Sequence, residues 1–497
     1  MILGGVELDD VQGLVRFGYG SMTDAVYVLA RVRNVDAARA WLRSAPVTTA
    51  ATLSPPPVTA LQIAFTAQGM EALDVSAAVR AGFSSEFLDG MDDPRRARRL
   101  GDVESNAPER WDWGYAPVVP HVLVMLFAKP GQLDEWVGRT LGDAWHEGFE
   151  ETRRLTTSQL DGVEPFGFMD GISQPAVDWE QRRDPSDGGD GYGNEVALGE
   201  LLLGYRNEYG EYTDRPLIDV DLSSPGLPPA EEAPGKWDVG RNGTYLVMRQ
   251  LKQNVHDFWQ YVTSRAGGDR QAADALASQL VGRTRTGEPL AQIEADGSPG
   301  VAGTAQERRL NQFTFDDDPA GVRCPFGAHI RRANPRNGDY AHHETGLKRR
   351  LADLGLPPSA FQDDVVSSVR FHRILRRGRE FGPSLSVDDA LRPAPPDDPE
   401  RGLYFICLNA NISRQFEFIQ NAWMSSTKFS ALTGESDPLL GNRLHTADGR
   451  VTNGFTMPAR GLRRRISELP SFVAVRGGAY FFLPGVRALR YFAGARG

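Results

Sequence analysis

The sequence predicts an α+β protein built from a duplicated strand–helix domain, and three observations carry that prediction. Apolar runs of strand length lead into amphipathic helical stretches, and such units recur in both halves of the chain. No glycine-rich nucleotide fingerprint follows any of these strands, which counts against a doubly wound dinucleotide fold. The 497 residues suffice for two large halves, each able to bury a sizeable core and, with it, a bulky cofactor.

In chain order, ALQIAFT (60–66) is the first strand, before GMEAL, and HVLVMLFA (121–128) is the second, followed by a helical pattern from Gly131 to Leu141. DPSDGGDGYGNE (184–195) and SSPGLPPAEEAPG (223–235) are rich in Gly, Pro and acid and read as loops, so a boundary falls near residue 240. The expected halves are therefore 1–240 and 241–497. GTYLVMRQL (243–251) opens the second half and runs into a helix around Val255 to Val262. LRPAPPDDPERG (391–402) is a proline-rich connector. GLYFICLNA (402–410) is the next strand, continuing into the helical SRQFEFIQNAW (413–423). Loops this long are uncommon in a compact protein unless they bind something or form a rim.

The chain is 40% apolar, with a formal charge of −10. That balance argues against duplex nucleic acid or an anionic membrane as partner, since both need a basic face. Two cysteines, Cys324 and Cys407, exclude a disulfide framework and suit a reducing compartment. The longest apolar run, Val122 to Ala128, is far below the ~20 residues that span a bilayer. With no secretory pattern in MILGGVELDDVQG, the expected location is the cytoplasm.

Three segments carry candidate chemistry, each with a plain structural reading beside it. In CPFGAHIRRANPR (324–336), Gly327 and Ala328 leave room beside His329 for a large planar ligand, and Arg331, Arg332 and Arg336 could meet carboxylates on it. The plain reading is a core histidine beside a surface arginine cluster. Cys324 with His329, His342 and His343 matches no common zinc spacing. In PFGFMDGISQP (165–175), Asp170 between apolar neighbours is either a turn residue or a buried acid with a tuned pKa. FHRILRRGREFG (371–382) is either a basic edge strand or a strand delivering a fixed cation to a pocket.

Together GFMDG (167–171), FGAHIRRANPR (326–336) and RILRRGREFG (373–382) resemble the haem-site motifs of dye-decolorizing peroxidases. DVQGLV (10–15), GTYLVMRQL (243–251), GLYFICLNANISRQFEFIQNAW (402–423), ESDPLLG (435–441) and VRGGAYFFLPG (475–485) resemble that family too, so the likeness covers most of the chain. The resemblance implies two ferredoxin-like halves of the dimeric α+β barrel type. Haem b would sit mainly in the second half, with one distal loop supplied by the first.

The roles the resemblance implies are specific. His329 would be the proximal iron ligand, leaving the other iron face open to hydrogen peroxide. Asp170 would be the distal acid–base group and Arg376 its charge-stabilising partner, chosen over Arg373 and Arg377 because it stands six residues before Gly382. Glu380 stands where proline is commoner. Leu403 and Phe405 would cover the distal haem face, Asp437 would be the first candidate to accept the second N–H of His329, ahead of Asn411 and Glu417, and Arg331 and Arg332 would meet the propionates. Thr284, in place of a usual aromatic, implies a change at the rim. The expected activity is reduction of peroxide through a ferryl intermediate, with oxidation of a bulky aromatic, dye or phenolic reductant, best at acid pH. Electrons could leave through a Trp or Tyr such as Tyr340 or Trp423. A haem carrier without fast peroxide chemistry and a haem-free relative are the competing readings, and self-association is compatible with the sequence.

Overall fold

A computed structural model describes residues 2–3, 5–159, 162–182, 194–220, 226–292, 310–336, 369–445, 449, 451–457 and 463–494. Tyr340, His342, His343 and most of the 184–195 loop lie outside the described residues. Nine strands form one antiparallel sheet. Four come from the first half: β1 (Asp24–Val32), β2 (Thr59–Phe65), β3 (Val122–Ala128) and β4 (Phe149–Thr156). Five come from the second: β5 (Thr244–Gln253), β6 (Leu375–Arg376), β7 (Arg379–Phe381), β8 (Gly402–Asn409) and β9 (Val473–Leu483).

The order across the sheet is β6–β8–β5–β9–β2–β3–β1–β4, with β7 also pairing β8. Within each set the first strand lies between the third and the fourth, and the second lies outside the third. That order is ferredoxin-like, and it occurs twice. The two sets join where Phe482 of β9 pairs with Phe65 of β2.

The sheet curls into a barrel-like form. Tyr27 of β1 and Tyr404 of β8, five strands apart in the order, bring their rings to 5.8 Å edge to face. Just past β4, the Ser158 amide donates to Glu380 O at 2.8 Å, so the two ends of the sheet meet. The inner face packs Leu29, Met125, Met248 and Ile406. The outer face is covered by α1 (Val35–Ser44), α2 (Leu133–Thr140), α3 (Val255–Arg265) and α4 (Arg270–Val281), through side chains such as Trp41, Trp136, Trp259 and Leu276. Both cysteines are buried and free.

Two features position the site. Asp269 caps α4 by accepting from Ala272 N, and Gly282 (φ +96) ends it in the left-handed region. A methyl group on Gly282 would lie 2.5 Å from Ile330 Cγ1, so α4 can press directly onto the short helix α5 (His329–Ala333). The basic segment 371–382 is not one strand but two, β6 and β7. At the break, Gly378 approaches Tyr404 O so closely that a Cβ would stand 2.4 Å from it. The stretch after β8 is helical as expected, but π-wound over Ser413–Glu417 and Ile419–Ser425. No helix among the described residues is long and apolar enough to cross a membrane.

Candidate active site

One cavity gathers most of the residues singled out above. His329, Asp170, Arg376, Leu403 and Phe405 all line it. His329 opens α5. Its Nδ1–H donates to Asp437, 3.1 Å from Oδ2 and 3.2 Å from Oδ1, which assigns the lone pair to Nε2. Asp437 is fully buried and accepts from Leu439 N at 2.9 Å and Leu440 N at 2.7 Å. Burial alone would raise its pKa, but His329, the Leu440 amide and the charge of Arg332 outweigh burial and hold it below the ordinary carboxylate value. Burial likewise opposes charge on His329, and Asp437 overrides it, so the imidazole titrates above its usual value. Asn411 caps Arg414 N, and Glu417 pairs with Arg96 and Arg99; neither bonds His329.

Asp170 sits on a tight hairpin. Val163 and Met169 form an antiparallel bridge, the Asp170 amide donates to Gly162 O at 2.9 Å, and Gly171 takes φ +76. Arg376 Nη1 donates to Asp170 Oδ1 at 3.0 Å, and Nη2 to Ser173 O at 3.3 Å. The Gln174 side chain fixes β6 against this loop from both sides, accepting from Arg376 N at 3.0 Å and donating to Arg376 O at 3.1 Å. Burial works to raise the Asp170 pKa. The Arg376 charge, the Gly171 amide and the more distant His329 outweigh it, leaving the carboxyl below its ordinary value. Each side chain of the pair keeps about a third of its surface open, 33% for Asp170 and 32% for Arg376, so both remain reachable from the cavity.

Leu403 and Phe405 alternate on β8 toward the cavity, while Tyr404 and Ile406 pack into the inner core. Phe166, Phe168, Leu251 and Phe416 extend the apolar wall.

Arg331 and Arg332 do not line the cavity. Arg331 lies on the far side of α5 from His329 and donates to Cys324 O at 2.7 Å and to Asp318 Oδ2 at 3.2 Å. Arg332 is fully buried against the carbonyls of Trp423, Ser426 and Glu435, where its charge supports Asp437. The cavity arginines are Arg283, Arg336 and Arg373 beside Arg376. Trp423 also lines the cavity and is 6% exposed, so it is no surface residue. Thr284 lies off the cavity wall, its hydroxyl accepting from Glu288 N at 3.1 Å.

Sequence reasoning gave no role to Glu164, Arg373 or His372, all of which line the cavity. Glu164 accepts from Phe168 N at 2.9 Å, Phe166 N at 3.1 Å and Gln253 Nε2 at 2.6 Å. Burial, with Asp170 nearby, pushes its pKa up to about 7. Arg373 donates to Asn194 Oδ1 at 2.7 Å. His372 is buried, stacks on Phe418 with ring centroids 3.7 Å apart, donates from Nδ1 to Arg414 O and leaves Nε2 without a partner among the described residues. Glu164 and Arg373 stood inside or beside quoted motifs, but only the fold shows which side chains of a motif turn inward.

The donor set suits haem. Among the described residues, an imidazole backed by a carboxylate, apolar walls, four arginines against two carboxyl groups and a buried imidazole nitrogen without a partner match a flat apolar dianion carrying a metal.

No protein-family model matches the chain. A dye-decolorizing peroxidase of Mycetinis scorodonius is 27% identical over 98% of this chain and 87% of its own length. One from Auricularia auricula-judae is 28% identical over 97% and 86%. Among solved structures, a peroxidase of this type from Auricularia auricula-judae superposes with a TM-score of 0.72 at 24% identity, covering 99% of both chains. Another, in complex with 2,6-dimethoxyphenol, reaches 0.69 at 22% identity, covering 99% of this chain and all of the other.

Proposed function

We infer that this chain, whose relatives by sequence and by fold are dye-decolorizing peroxidases, is a haem peroxidase that reduces hydrogen peroxide to water at the expense of an aromatic reductant. The observation that carries the reading is the meeting, in one cavity, of a carboxylate-backed His329 with the Asp170–Arg376 pair.

His329 Nε2 would hold the iron, and Asp437 makes the imidazole a stronger donor by accepting the hydrogen bond of its Nδ1–H. Arg336 and Arg373, on the cavity wall, would meet the carboxylates of the group, beside the bonds they make to Ser173 and Asn194. Haem, when bound, supplies the two-electron reduction of peroxide and stores the oxidising equivalents. Asp170 is ionised at neutral pH because Arg376 lowers its pKa, so it can take the first proton from peroxide and return it to the departing oxygen, which leaves as water. Arg376 stays charged throughout and offsets the negative charge that grows on that oxygen. Leu403 and Phe405 keep water from the same space. A lowered Asp170 pKa would keep the base form available well into the acid side of neutral. A phenol is the natural test reductant, since a relative of this fold was solved with 2,6-dimethoxyphenol.

The experiment is an absorption spectrum of the haem-supplemented protein before and after one equivalent of hydrogen peroxide, then after 2,6-dimethoxyphenol. The Soret band shifts within seconds and returns when the phenol is added. A Soret band indifferent to peroxide makes the protein a haem carrier, and a colourless protein removes His329 from the role of ligand.

A further inference from the structure

Glu164 does no chemistry in the account above, yet it is the most heavily bonded side chain of the distal hairpin. Its two carboxylate oxygens accept from the amides of Phe166 and Phe168, while its own amide donates to Phe168 O at 2.9 Å and its carbonyl accepts from Gly167 N at 2.7 Å. The amides of Phe166, Gly167 and Phe168 therefore all refer to this residue, while Phe166 O accepts from Trp259 Nε1 and Gly167 O from Arg285 Nε. The hairpin belongs to the first half of the chain, whereas Arg376 belongs to the second. Gln253, the last residue of β5, reaches across and donates to Glu164 Oε2 at 2.6 Å.

We propose that Glu164 is the positioning residue for Asp170: its carboxylate closes the 162–170 hairpin and, through Gln253, locks that hairpin to the central strand of the second half. The proposal rests on the peroxidase reading for its kinetic consequence and on geometry alone for its structural one. A carboxylate suits the place because one group can accept three N–H donors there, which an amide side chain cannot. Buried Phe166 and Phe168 anchor one side of the hairpin, but Met169, next to Asp170, is 42% exposed, so at Asp170 itself the register relies on polar contacts. A shift of about 1 Å in a catalytic group can cost on the order of 100-fold in rate. Burial and the nearby Asp170 oppose charge on Glu164 and push its pKa up to about 7, while the three donors work the other way.

The test uses Glu164→Ala, Glu164→Gln and Gln253→Leu, each loaded with haem. The first readout is amide hydrogen exchange of the 162–170 segment, with and without haem. The second is the bimolecular rate of the Soret change on mixing with peroxide, set against haem content. Glu164→Ala is expected to speed exchange in this segment at least 10-fold, leave exchange in β5 and β8 unchanged, keep haem, and slow the peroxide step at least 10-fold. Glu164→Gln, which retains one acceptor oxygen, should fall between, and Gln253→Leu keeps the question open should Glu164→Ala not fold. Unchanged hairpin exchange in both Glu164→Ala and Gln253→Leu overturns the proposal. So does a peroxide rate that falls only in proportion to lost haem. If the unmodified protein ignores peroxide, the peroxidase reading fails, and the exchange arm still decides the role of Glu164.

Discussion

Asp437 is the residue on which His329 depends, and its contacts make a quantitative expectation possible. Replacing it with Asn keeps the shape but removes the charge, so haem retention should fall about 10- to 100-fold, the usual cost of losing an outer partner of a metal-ligating histidine. Competition for haem by apomyoglobin measures this. On the proposed reading, Asp170 would govern the pH profile. Its carboxyl is held below the ordinary value by Arg376, and the base form is lost only as pH falls through that lowered pKa. The rate of the peroxide step should therefore stay flat from neutral down to the ordinary carboxylate range near ~4, and decline below it. A rate maximum above neutral contradicts the assignment. At this scale the sequence is informative where motif position fixes orientation, as for His329, Asp170, Arg376 and Asp437. It is silent where orientation comes from the fold. Arg331 and Arg332 read as equivalents of Arg336, yet the turn of α5 sends the first two away from the cavity.

Among elements, the junction of α4 with α5 is a close contact behind the site. Gly282→Ala combines a φ of +96 with a methyl 2.5 Å from Ile330, so it should destabilise by about 1–3 kcal/mol. Because α5 begins at His329, it should also loosen haem. Chemical denaturation together with a Soret titration checks both effects. The four strands named from apolar runs are present in the sheet. β1 and β9 are not singled out as strands by the sequence reading, and for β4, β6 and β7 the reason is physical. FEETRRLT of β4 lies at the sheet edge, where its outward charges hide the apolar alternation. The apolar–basic alternation over 371–382 is real, but Gly378 breaks the strand against the carbonyl of Tyr404. Helical periodicity in 413–423 fits α- and π-winding alike, so the sequence cannot distinguish them.

For the whole molecule, the duplication is legible because each half repeats its own local strand–helix pattern. The closing contact between Ser158 and Glu380 joins residues far apart in sequence, and no local pattern announces it. The halves drawn at residue 240 coincide with the change from one strand set to the other, and we propose them as the two units of the duplication. Burial of acids leaves a global signature. Glu164 and Glu200 are each pushed up to about 7 from an ordinary 4.5, chiefly by burial. Between those values the folded state holds protons that the unfolded state has released, so these two groups make stability fall as pH rises through that window. Denaturation midpoints at pH 5 and pH 8 should show the decline, and the Glu164→Gln/Glu200→Gln double variant should show a smaller one.

The central claim is that Asp170 moves the proton when peroxide is cleaved at a haem held by His329. The most direct measurement is a stopped-flow comparison of the unmodified protein with Asp170→Asn, both haem-loaded, on mixing with hydrogen peroxide. The account predicts an intact Soret band in the variant and a peroxide rate lower by about 100- to 10,000-fold, the range of general acid–base catalysis. An Asp170→Asn protein that reacts with peroxide as fast as the parent would contradict it.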